Sequence, residues 1–506
     1  MKLADLLEPL DYHELTGDAA TEISSLTCNS RQVRPGSLFF ALPGVTADGH
    51  DYIAAAVEAG AAAVLLEDPS KAPSEIPWVR VADGRSAMAQ LAAFFYGNPT
   101  STLPLIGITG TNGKTTTTYL IEAILAAAGI PSAVLGTISY RFGDQRIEAS
   151  HTTPESLELQ SIFRTLADAG AKGFVMEVSS HALEQRRVDG CQFDVGIFTN
   201  LTRDHLDYHS TMEAYLSSKL RLFTELLRPT PEKPARKAVI NLDDGYGAII
   251  AAQAACPVIT FGIQQGDVRT SDASFSVSGI TATVFTPAGR FSFSSPLLGR
   301  FNLSNILAAI SAGVALDLPL AAIKQGIEHH STVPGRVERV INDHNVTVLV
   351  DYAHTGDALE NILSTVKQLG PPRLITVFGC GGDRDPGKRP VMGRIAAEFS
   401  DLAIATSDNP RTEDPLLILS QIKEGILPLG IKEYSQEELE EGFREKGFIM
   451  LENRRDAIKL ASRVARAGDL ILIAGKGHED YQIIGRTKHH FDDREEVAKA
   501  FEERSR

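Results

Sequence analysis

Apolar and polar positions alternate in blocks along the N-terminal part of the chain. Residues 37–42 and 61–66 are largely apolar runs that predict buried strands, whereas residues 53–59 are alanine-rich and predict a helix. The turn-forming sequence Gly-Asn-Pro-Thr at 97–100 precedes a new apolar run. This pattern predicts a small α/β domain over residues 1–97.

The same alternation of strand and helix continues through the middle of the chain. The apolar runs lack polar alternation, which indicates strands buried on both faces in a mostly parallel sheet covered by helices. A helix is predicted over 114–128, and alternating Thr, Ser, Val and Phe over 271–295 predict an antiparallel addition. The predicted parallel strands are 103–108, 132–138, 173–178 and 193–199. We expect this central domain to span residues 98–335.

A third series of strands and helices occupies the C-terminal part of the chain. Its predicted strands are 346–350, 374–378, 402–406 and 470–474. We assign these elements to a Rossmann-like domain over residues 336–506. The predicted fold class is therefore α/β with three domains, and functional sites are expected beyond the carboxyl ends of the strands.

Composition narrows the class of protein. The 506 residues include 64 acidic and 49 basic side chains, a net charge of −15, which disfavours nucleic acid and anionic membranes as partners. No apolar stretch is long enough to cross a bilayer, and the acidic N-terminus is unlike a signal peptide, so we expect a cytoplasmic location. The four scattered cysteines form no CxxC pair, which argues against a zinc site or a disulfide framework.

The segment GITGTNGKT at 107–115 joins a predicted strand to a predicted helix. Its glycines allow backbone N–H groups to surround phosphate oxygens, and the helix N-terminus adds partial positive charge. Lys114 supplies a charge for the β and γ phosphates, and the Thr115 hydroxyl can hold Mg²⁺. Ile108 stands where the strict GxxxxGK[ST] pattern has its first glycine. The segment predicts ATP binding by Gly110, Thr111, Asn112, Gly113, Lys114, Thr115 and Thr116.

Two later strand ends carry a carboxylate and an imidazole. Glu177 lies in the predicted strand 173–178, and His205 follows the predicted strand 193–199. Such groups at neighbouring strand ends can share a divalent cation with phosphate oxygens. Spacing alone leaves another interpretation open, in which His205 and His209 are solvated or cap a turn.

The segments TGTNGKT, EVSSH, TNLTRDHLDYH and YLSSK, in this order, resemble the central domain of the Mur ligase family. The resemblance implies that Glu177 and His205 bind Mg²⁺. It also implies that CO₂ carbamylates Lys219 and that the new carboxylate helps to hold a second Mg²⁺. The implied catalytic residues are Lys114, Glu177, His205 and Lys219, and the implied metal ligands are Thr115, Glu177, His205 and carbamylated Lys219.

The resemblance extends to the N-terminal domain, which in one branch of the family binds the UDP part of the substrate. Ser30, in the segment TCNSR, matches a uridine contact, although Asn29 stands where Asp is common. Further residues match contacts to the muramoyl peptide and diphosphate, and an arginine among them suits an anionic ligand in an acidic protein. They are Thr152, Thr153, Ser179, Gln185 and Arg187.

In the C-terminal half, Asn302, Arg336 and Asp351 match family contacts to adenine, ATP phosphate and ribose. The motif DNPR at 408–411 marks the family members that add diaminopimelate, which differs from lysine by one carboxylate. The planar guanidinium of Arg411 suits that carboxylate. The implied diaminopimelate contacts are Arg384, Asp408, Asn409, Pro410, Arg411, Gly475 and Glu479.

The resemblance implies an ATP-dependent ligase that adds meso-diaminopimelate to UDP-MurNAc-L-Ala-D-Glu through an acyl phosphate. It implies ATP, two Mg²⁺ ions and a CO₂-derived carbamate as cofactors, and we expect a monomer whose partners are these small molecules. The serious alternative is a lysine-adding ligase of the same family. A folylpolyglutamate-type ligase would lack the N-terminal domain and DNPR, and a P-loop kinase or NTPase would leave Lys219 and DNPR unexplained.

Overall fold

A computed structural model describes residues 1–44, 47–276, 278–329 and 333–504. The chain divides into two compact units. The first unit comprises Met1–Ser271, Val284–Phe291 and Asn305–Ile327, and the second comprises Asp272–Thr283, Ser292–Ser304 and Glu328–Arg506. This division does not test the predicted domain limits at 97/98 and 335/336, which stay predictions.

The N-terminal sheet forms because its apolar runs bury both faces. In Ser37–Phe40, Leu38 and Phe40 face one hydrophobic cluster and Phe39 faces another, as the two-residue period of a strand requires. Neighbouring strands are parallel except at one edge, where one pair is antiparallel. In spatial order the strands are Glu14–Thr16, Trp78–Arg80, Ala61–Leu66, Ser37–Phe40 and Ser25–Thr27. The helices of this region are Leu3–Leu6, Ile53–Glu58 and Gly84–Phe95, with 3₁₀ turns at Ser30–Gln32, Gly49–Tyr52 and Pro69–Lys71.

The central sheet has eight strands, and its two middle strands, Leu105–Thr109 and Gly173–Glu177, are buried at every position. The first six strands in space run parallel, and the last two form an antiparallel edge. In spatial order the strands are Val258–Phe261, Lys237–Asn241, Val195–Phe198, Leu105–Thr109, Gly173–Glu177, Ser132–Leu135, Tyr140–Phe142 and Gln145–Ile147. The predicted parallel sheet is confirmed.

Helices cover the central sheet and follow its strands in sequence. The predicted helix 114–128 is observed as Lys114–Ala127, followed by Gly129 with φ of 77°. The helices of this region are Pro99–Thr102, Lys114–Ala127, Ser156–Asp168, Ser180–Glu184, Leu206–His209, Met212–Arg221, Gly247–Gln253, Arg300–Ala315 and Leu320–His329, with a π-helical turn at Leu222–Leu226. The alternating segment near residue 280 forms a separate three-stranded sheet from Arg269–Ser276, Gly279–Thr286 and Gly289–Ser295.

Two local predictions need correction. The strand predicted over 132–138 ends at Leu135, because Gly136 lies against Glu177 and the Thr137 N–H donates to the Glu177 carboxylate. The turn predicted at 97–100 contains the start of a short helix, Pro99–Thr102, with proline at a position where a helix tolerates its missing N–H.

The C-terminal sheet has seven strands, and all four predicted strands are present. The sheet is parallel except for its first pair. In spatial order the strands are Glu338–Val340, Thr347–Asp351, Leu470–Ala474, Leu374–Cys380, Leu402–Ser407, Gly447–Leu451 and Lys432–Glu433. The helices are Gly356–Gln368, Lys388–Phe399, Pro415–Ile426, Gln436–Glu440, Arg454–Val464 and Asp493–Arg504, with a 3₁₀ turn at Leu427–Leu429. A hairpin of Tyr481–Ile484 and Thr487–His490 lies outside this sheet.

Within the described residues, no helix combines the length and apolar character needed to span a bilayer. All four cysteines are free thiols.

Candidate active site

The phosphate loop lies between the strand Leu105–Thr109 and the helix Lys114–Ala127. Gly110 and Gly113 have φ of 150° and 88°, in the region that favours glycine. A Cβ on Gly110 would lie 1.9 Å from Thr199 Oγ1, and one on Gly113 would lie 2.3 Å from Asn305 Oδ1. Both positions therefore require glycine, which keeps the backbone N–H groups open to a phosphate.

Residues after the neighbouring strand Val195–Phe198 hold the loop in place. The Asn112 N–H donates to Asn200 Oδ1 at 2.8 Å, and Thr199 Oγ1 donates to the Asn112 carbonyl at 2.7 Å. The Lys114 ammonium donates to the carbonyls of Gly110 and Thr111, both at 2.9 Å. The lysine charge is thus held over the loop, where a phosphate would bind.

Glu177 is 1% exposed and accepts hydrogen bonds from two threonines. Thr115 Oγ1 donates to Glu177 Oε1 at 2.9 Å, and the Thr137 N–H and hydroxyl donate to the two carboxylate oxygens at 3.0 Å each. Octahedral Mg²⁺ places adjacent oxygen ligands about 2.9 Å apart. The Thr115 and Glu177 oxygens are hard ligands of the kind that magnesium prefers, so they could hold one ion whose remaining ligands would come from phosphate or water.

Lys219 on the helix Met212–Arg221 is 1% exposed, unlike the solvated lysine that an amphipathic helix ordinarily carries. Its Nζ donates to the Gly110 carbonyl at 3.1 Å and lies 4.5 Å from the centroid of the Tyr215 ring. Burial, and next the positive charge of Lys114, hold the pKa of Lys219 well below its usual value, against the opposing effect of Asp204. A lowered pKa favours the neutral amine, the form that reacts with CO₂.

His205 has φ of 54°, and its imidazole is about half exposed. Its ring centroid lies 5.1 Å from that of His181 and 6.2 Å from that of Tyr215. Tyr215 therefore lies near both His205 and Lys219. The described residues contain no group of three or more His, Cys, Asp or Glu arranged for a metal ion. A metal at His205 would need the carbamate or substrate oxygens as additional ligands.

The residues matched to the muramoyl peptide and diphosphate lie together beside Glu177. Thr153 Oγ1 donates to the Glu177 carbonyl at 2.8 Å and accepts from the Ser179 N–H at 3.0 Å. Arg187 donates to the Thr153 carbonyl at 2.9 Å and to Gln185 Oε1 at 2.7 Å. Thr152 joins the same group through its hydroxyl, 3.1 Å from that of Thr137. These five residues form one group around the Glu177 backbone and the Thr137 hydroxyl.

Ser30 begins the 3₁₀ turn Ser30–Gln32, where Asn29 accepts from the Arg31 N–H at 3.0 Å. Asn29 thus performs the capping role that Asp would perform. A pocket of about 450 Å³ surrounds this turn. Its lining includes Cys28, Asn29, Ser30, Arg31, Tyr52, Arg85 and Glu155. Glu155 also forms an ion pair with Arg187, in which Glu155 Oε1 lies 3.0 Å from Arg187 Nη2. This ion pair connects the pocket to the group beside Glu177.

In the second unit, Asp351 is the last residue of the strand Thr347–Asp351 and is 8% exposed. It accepts from the N–H groups of Val337 and Ala353, both at 2.8 Å. Burial raises the pKa of Asp351, although Arg336 and these N–H groups oppose the rise. The Arg336 guanidinium stacks 4.7 Å from the Tyr352 ring, and Asn302 donates to the Leu298 carbonyl at 2.9 Å.

The three segments matched to diaminopimelate follow adjacent parallel strands, so they converge at one sheet edge. Arg411 has φ of 52° and donates to the Gly382 carbonyl at 2.8 Å. A Cβ on Gly381 would lie 2.9 Å from the Arg411 guanidinium. Asn409 Nδ2 donates to Glu479 Oε2 at 2.9 Å. This edge carries the Arg411 guanidinium and the Glu479 carboxylate, whose charges are opposite to those of an amino acid's carboxylate and ammonium. The segments are Gly381–Arg384, Asp408–Arg411 and Gly475–Glu479.

Comparison with known families decides the identification. The Mur ligase family catalytic domain matches residues 22–96, and the Mur ligase middle domain matches residues 108–313. The Mur ligase glutamate ligase domain matches residues 335–477. The chain belongs to the Mur ligase family.

Two Mur ligases of known name are similar over the full length. UDP-N-acetylmuramoyl-L-alanyl-D-glutamate--2,6-diaminopimelate ligase of Geobacter metallireducens is 64% identical over 100% of this chain and 99% of its own. The enzyme of the same name from Geobacter sulfurreducens is 61% identical over 99% of each chain. A solved structure of a ligase with that name is 34% identical, has a TM-score of 0.72, and covers 100% of this chain and 99% of its own. The predicted three-domain α/β fold is confirmed.

This Mur ligase also contains contacts that the sequence did not reveal. Thr137 makes two of the three hydrogen bonds to Glu177 described above, and Lys476 makes contacts to both Asp408 and Asn409. The hairpin residue Gln482 donates to the Asp408 carbonyl at 2.7 Å. A threonine after a strand and a lysine between glycines carry no distinctive local signal. The roles of the predicted site residues stay predictions.

Proposed function

We propose that this Mur ligase joins meso-2,6-diaminopimelate to UDP-N-acetylmuramoyl-L-alanyl-D-glutamate in the synthesis of a peptidoglycan precursor. The observation that carries the proposal is the Asp408–Arg411 segment, whose guanidinium and acidic neighbours suit the far carboxylate and ammonium of diaminopimelate. The name shared by the full-length relatives supports the same substrate. ATP and a nucleotide sugar as substrates place the reaction in the cytoplasm.

In the proposed reaction, the D-glutamate γ-carboxylate attacks the γ-phosphate of ATP, giving an acyl phosphate and ADP. The diaminopimelate amine then attacks the acyl carbon, and phosphate leaves from the tetrahedral intermediate. The main electrostatic demand is the approach of two anions. The positive charge of Lys114, held over the loop, reduces the repulsion between these anions. Arg187 provides a counter-charge for the diphosphate.

We propose that Thr115 and Glu177 hold one Mg²⁺ and that His205 and carbamylated Lys219 hold a second. Magnesium supplies charge neutralisation for the phosphate oxygens when bound. The buried Lys219 amine is suited to carbamylation because its surroundings disfavour the ammonium form. Asn302, Arg336 and Asp351 would contact adenine, phosphate and ribose, and Ser30 would contact uridine.

The partners that we propose are the three small-molecule substrates, with no role for nucleic acid or membrane, and the working form is a monomer. A lysine-adding ligase remains the alternative. Arg411 argues against it, because its guanidinium suits the far carboxylate of diaminopimelate, which lysine lacks.

The proposal is tested by phosphate release with ATP, Mg²⁺ and UDP-MurNAc-L-Ala-D-Glu, in parallel with meso-diaminopimelate, L-lysine or no amino acid. We expect release only with diaminopimelate, together with a UDP-tripeptide detected by mass. Arg411→Lys should raise KM for diaminopimelate by about 10-fold or more, since an ammonium cannot make the two-pronged contact that a guanidinium can make to a carboxylate. Release with lysine would support the alternative, and release without any amino acid would indicate an NTPase.

A further inference from the structure

Lys476 is a fully buried cation at the amino-acid edge of the second unit, with 0% of its side chain exposed. Its Nζ lies 3.1 Å from Asn409 Oδ1, 3.2 Å from Glu479 Oε2 and 3.4 Å from Asp408 Oδ1. An ammonium has three donors and no acceptor, so three oxygens match its capacity. Burying a charge is costly unless it is paired and hydrogen-bonded. The position of Lys476 therefore depends on these three residues, and theirs depends on Lys476.

The contacts of Lys476 orient one carboxylate in particular. Asn409 Nδ2 reaches Glu479 Oε2 at 2.9 Å, the same oxygen that Lys476 contacts. Asn409 Oδ1 in turn accepts from the Ile483 N–H of the hairpin at 3.0 Å. Two donors on one oxygen fix the direction in which the Glu479 carboxylate faces.

Lys476 also sets the charge of the cluster. Asp408 and Glu479 are the acidic members of the cluster and Lys476 is its basic member, so Lys476 offsets part of the negative charge that a substrate ammonium would meet. Burial, and next the negative charge of Asp408, raise the pKa of Glu479, whereas Lys476 opposes the rise. Burial would also raise the pKa of Asp408, but nearby positive charge, first that of Lys476 and next that of Arg454, lowers this pKa.

We propose that Lys476 is a positioning residue that keeps Glu479 charged and correctly oriented, and thereby selects amino acids whose far end carries an ammonium. Lys476 itself is buried, so it acts through Glu479 and Asn409 and does not touch the substrate. This inference rests on the proposed diaminopimelate ligase function and deepens it by assigning a source of its substrate selectivity.

The test measures the substrate ratio, which is kcat/KM for meso-diaminopimelate divided by kcat/KM for 2-aminopimelate. 2-Aminopimelate has hydrogen in place of the far amine. In Lys476→Met, we expect the ratio to fall by about 10- to 100-fold, as for a lost hydrogen bond to a charged group. KM for ATP should stay within about twofold of wild type, since this contact lies at the amino-acid edge. Adding Lys476→Met to Glu479→Gln should change the ratio little further, because both changes remove the same interaction.

Lys233 provides a matched control in the first unit. It is a buried lysine whose Nζ donates to the carbonyls of Leu103 and Gln192 at 2.9 and 3.0 Å and pairs with Asp194. Lys233→Met removes a similar buried charge without touching the amino-acid edge. We expect it to lower thermal stability and to leave the substrate ratio unchanged.

A second variant, Lys476→Arg, keeps a positive charge in the protein but replaces three divergent donors by a planar fork. We expect this variant to fold and to lower the substrate ratio by at least about threefold. This loss should be smaller than the loss in Lys476→Met. A wild-type ratio in either variant, or equal losses for both amino acids, would overturn the assignment. If wild-type protein releases no phosphate with diaminopimelate, the proposed function itself fails, whatever these variants do.

Discussion

At the scale of single residues, His478 has a neutral imidazole fixed by its surroundings. Its ring lies 4.9 Å from the Tyr352 ring, which in turn stacks on Arg336. The His478 Nδ1 is buried and has no hydrogen-bond partner in the described part of the chain. Burial, followed by the positive charges of Arg336 and Arg494, lowers the pKa of His478 from 6.5 to about 3. Protonation would place a cation among these cations.

This lowered pKa predicts a pH-dependent loss of stability. Between pH 6.5 and about 3 the unfolded state binds a proton at His478 that the folded state does not, so the free energy of unfolding falls as pH falls. The contribution is present above pH 6.5, and its loss has a slope of up to about 1.4 kcal/mol per pH unit. His478→Asn should therefore show a shallower decline than wild type in thermal melts at decreasing pH.

The control is the exposed His490, whose pKa is raised by its hydrogen bond to Glu495. His490→Gln removes a contribution of the opposite sign, one present at low pH and lost as pH rises. The same slope in wild type and His478→Asn would contradict the prediction for His478.

At the scale of elements, the proposed binding segments lie directly after the carboxyl ends of strands. The phosphate loop follows the strand Leu105–Thr109, and the amino-acid edge follows the strands Leu374–Cys380, Leu402–Ser407 and Leu470–Ala474. Within each sheet, parallel strands bring the loops that follow them to the same edge of that sheet. The loops are then held by neighbouring segments, as Thr199 and Asn200 hold Asn112.

Gly110→Ala tests the loop geometry. The added Cβ would meet Thr199 Oγ1 at 1.9 Å, and φ of 150° is unfavourable for alanine, so the loop must shift. We expect ATP turnover to fall by about 100-fold or more, since misplaced groups at the reaction centre carry losses of this size. Circular dichroism should show an intact fold.

Gly129→Ala is the matched control for this change. Gly129 also has a positive φ, of 77°, but a Cβ there would meet nothing within 4 Å. It should lose about 1 kcal/mol of stability and retain turnover. Equal activity of the two variants would contradict the role of the Gly110 geometry.

At the scale of the whole molecule, the net negative charge of the chain disfavours the binding of anionic substrates. The chain carries a net charge of −15, yet the proposed substrates are anions or carry carboxylates. Loop-held and partly buried cations such as Lys114 and Arg187 provide the local positive charge. The excess of acidic groups elsewhere repels itself and lowers the stability of the compact state.

Salt should therefore stabilise the protein. Raising NaCl from about 0.02 to 0.15 M shortens the Debye length to roughly 8 Å, which screens repulsion between surface charges. We expect the thermal midpoint to rise by about 1–3 °C at pH 7.5 in calorimetry. Near the isoelectric point of about 5.4 the effect should disappear, because the net charge is then close to zero. A midpoint that falls with salt at pH 7.5 would show that surface ion pairs outweigh the repulsion.

The sequence by itself determined the elements and the order of the motifs. The strands 61–66 and 470–474 were predicted to the residue, and the helix after the phosphate loop to within one residue. These elements were predictable because the spacing of apolar residues and the positions of glycines reflect the local backbone conformation, which residues close together in the chain determine. The order of TGTNGKT, EVSSH and DNPR was enough to indicate the family.

Only the tertiary structure decided which side chains meet. It buried Lys219 beside Gly110, 109 positions away, and gave Glu177 its partner Thr137. It placed the hairpin and Lys476 against the Asp408–Arg411 segment. These contacts join residues far apart in sequence, so no local pattern encodes them. They arise because parallel strands deliver separate loops to one edge, where burial makes each charge depend on its neighbours.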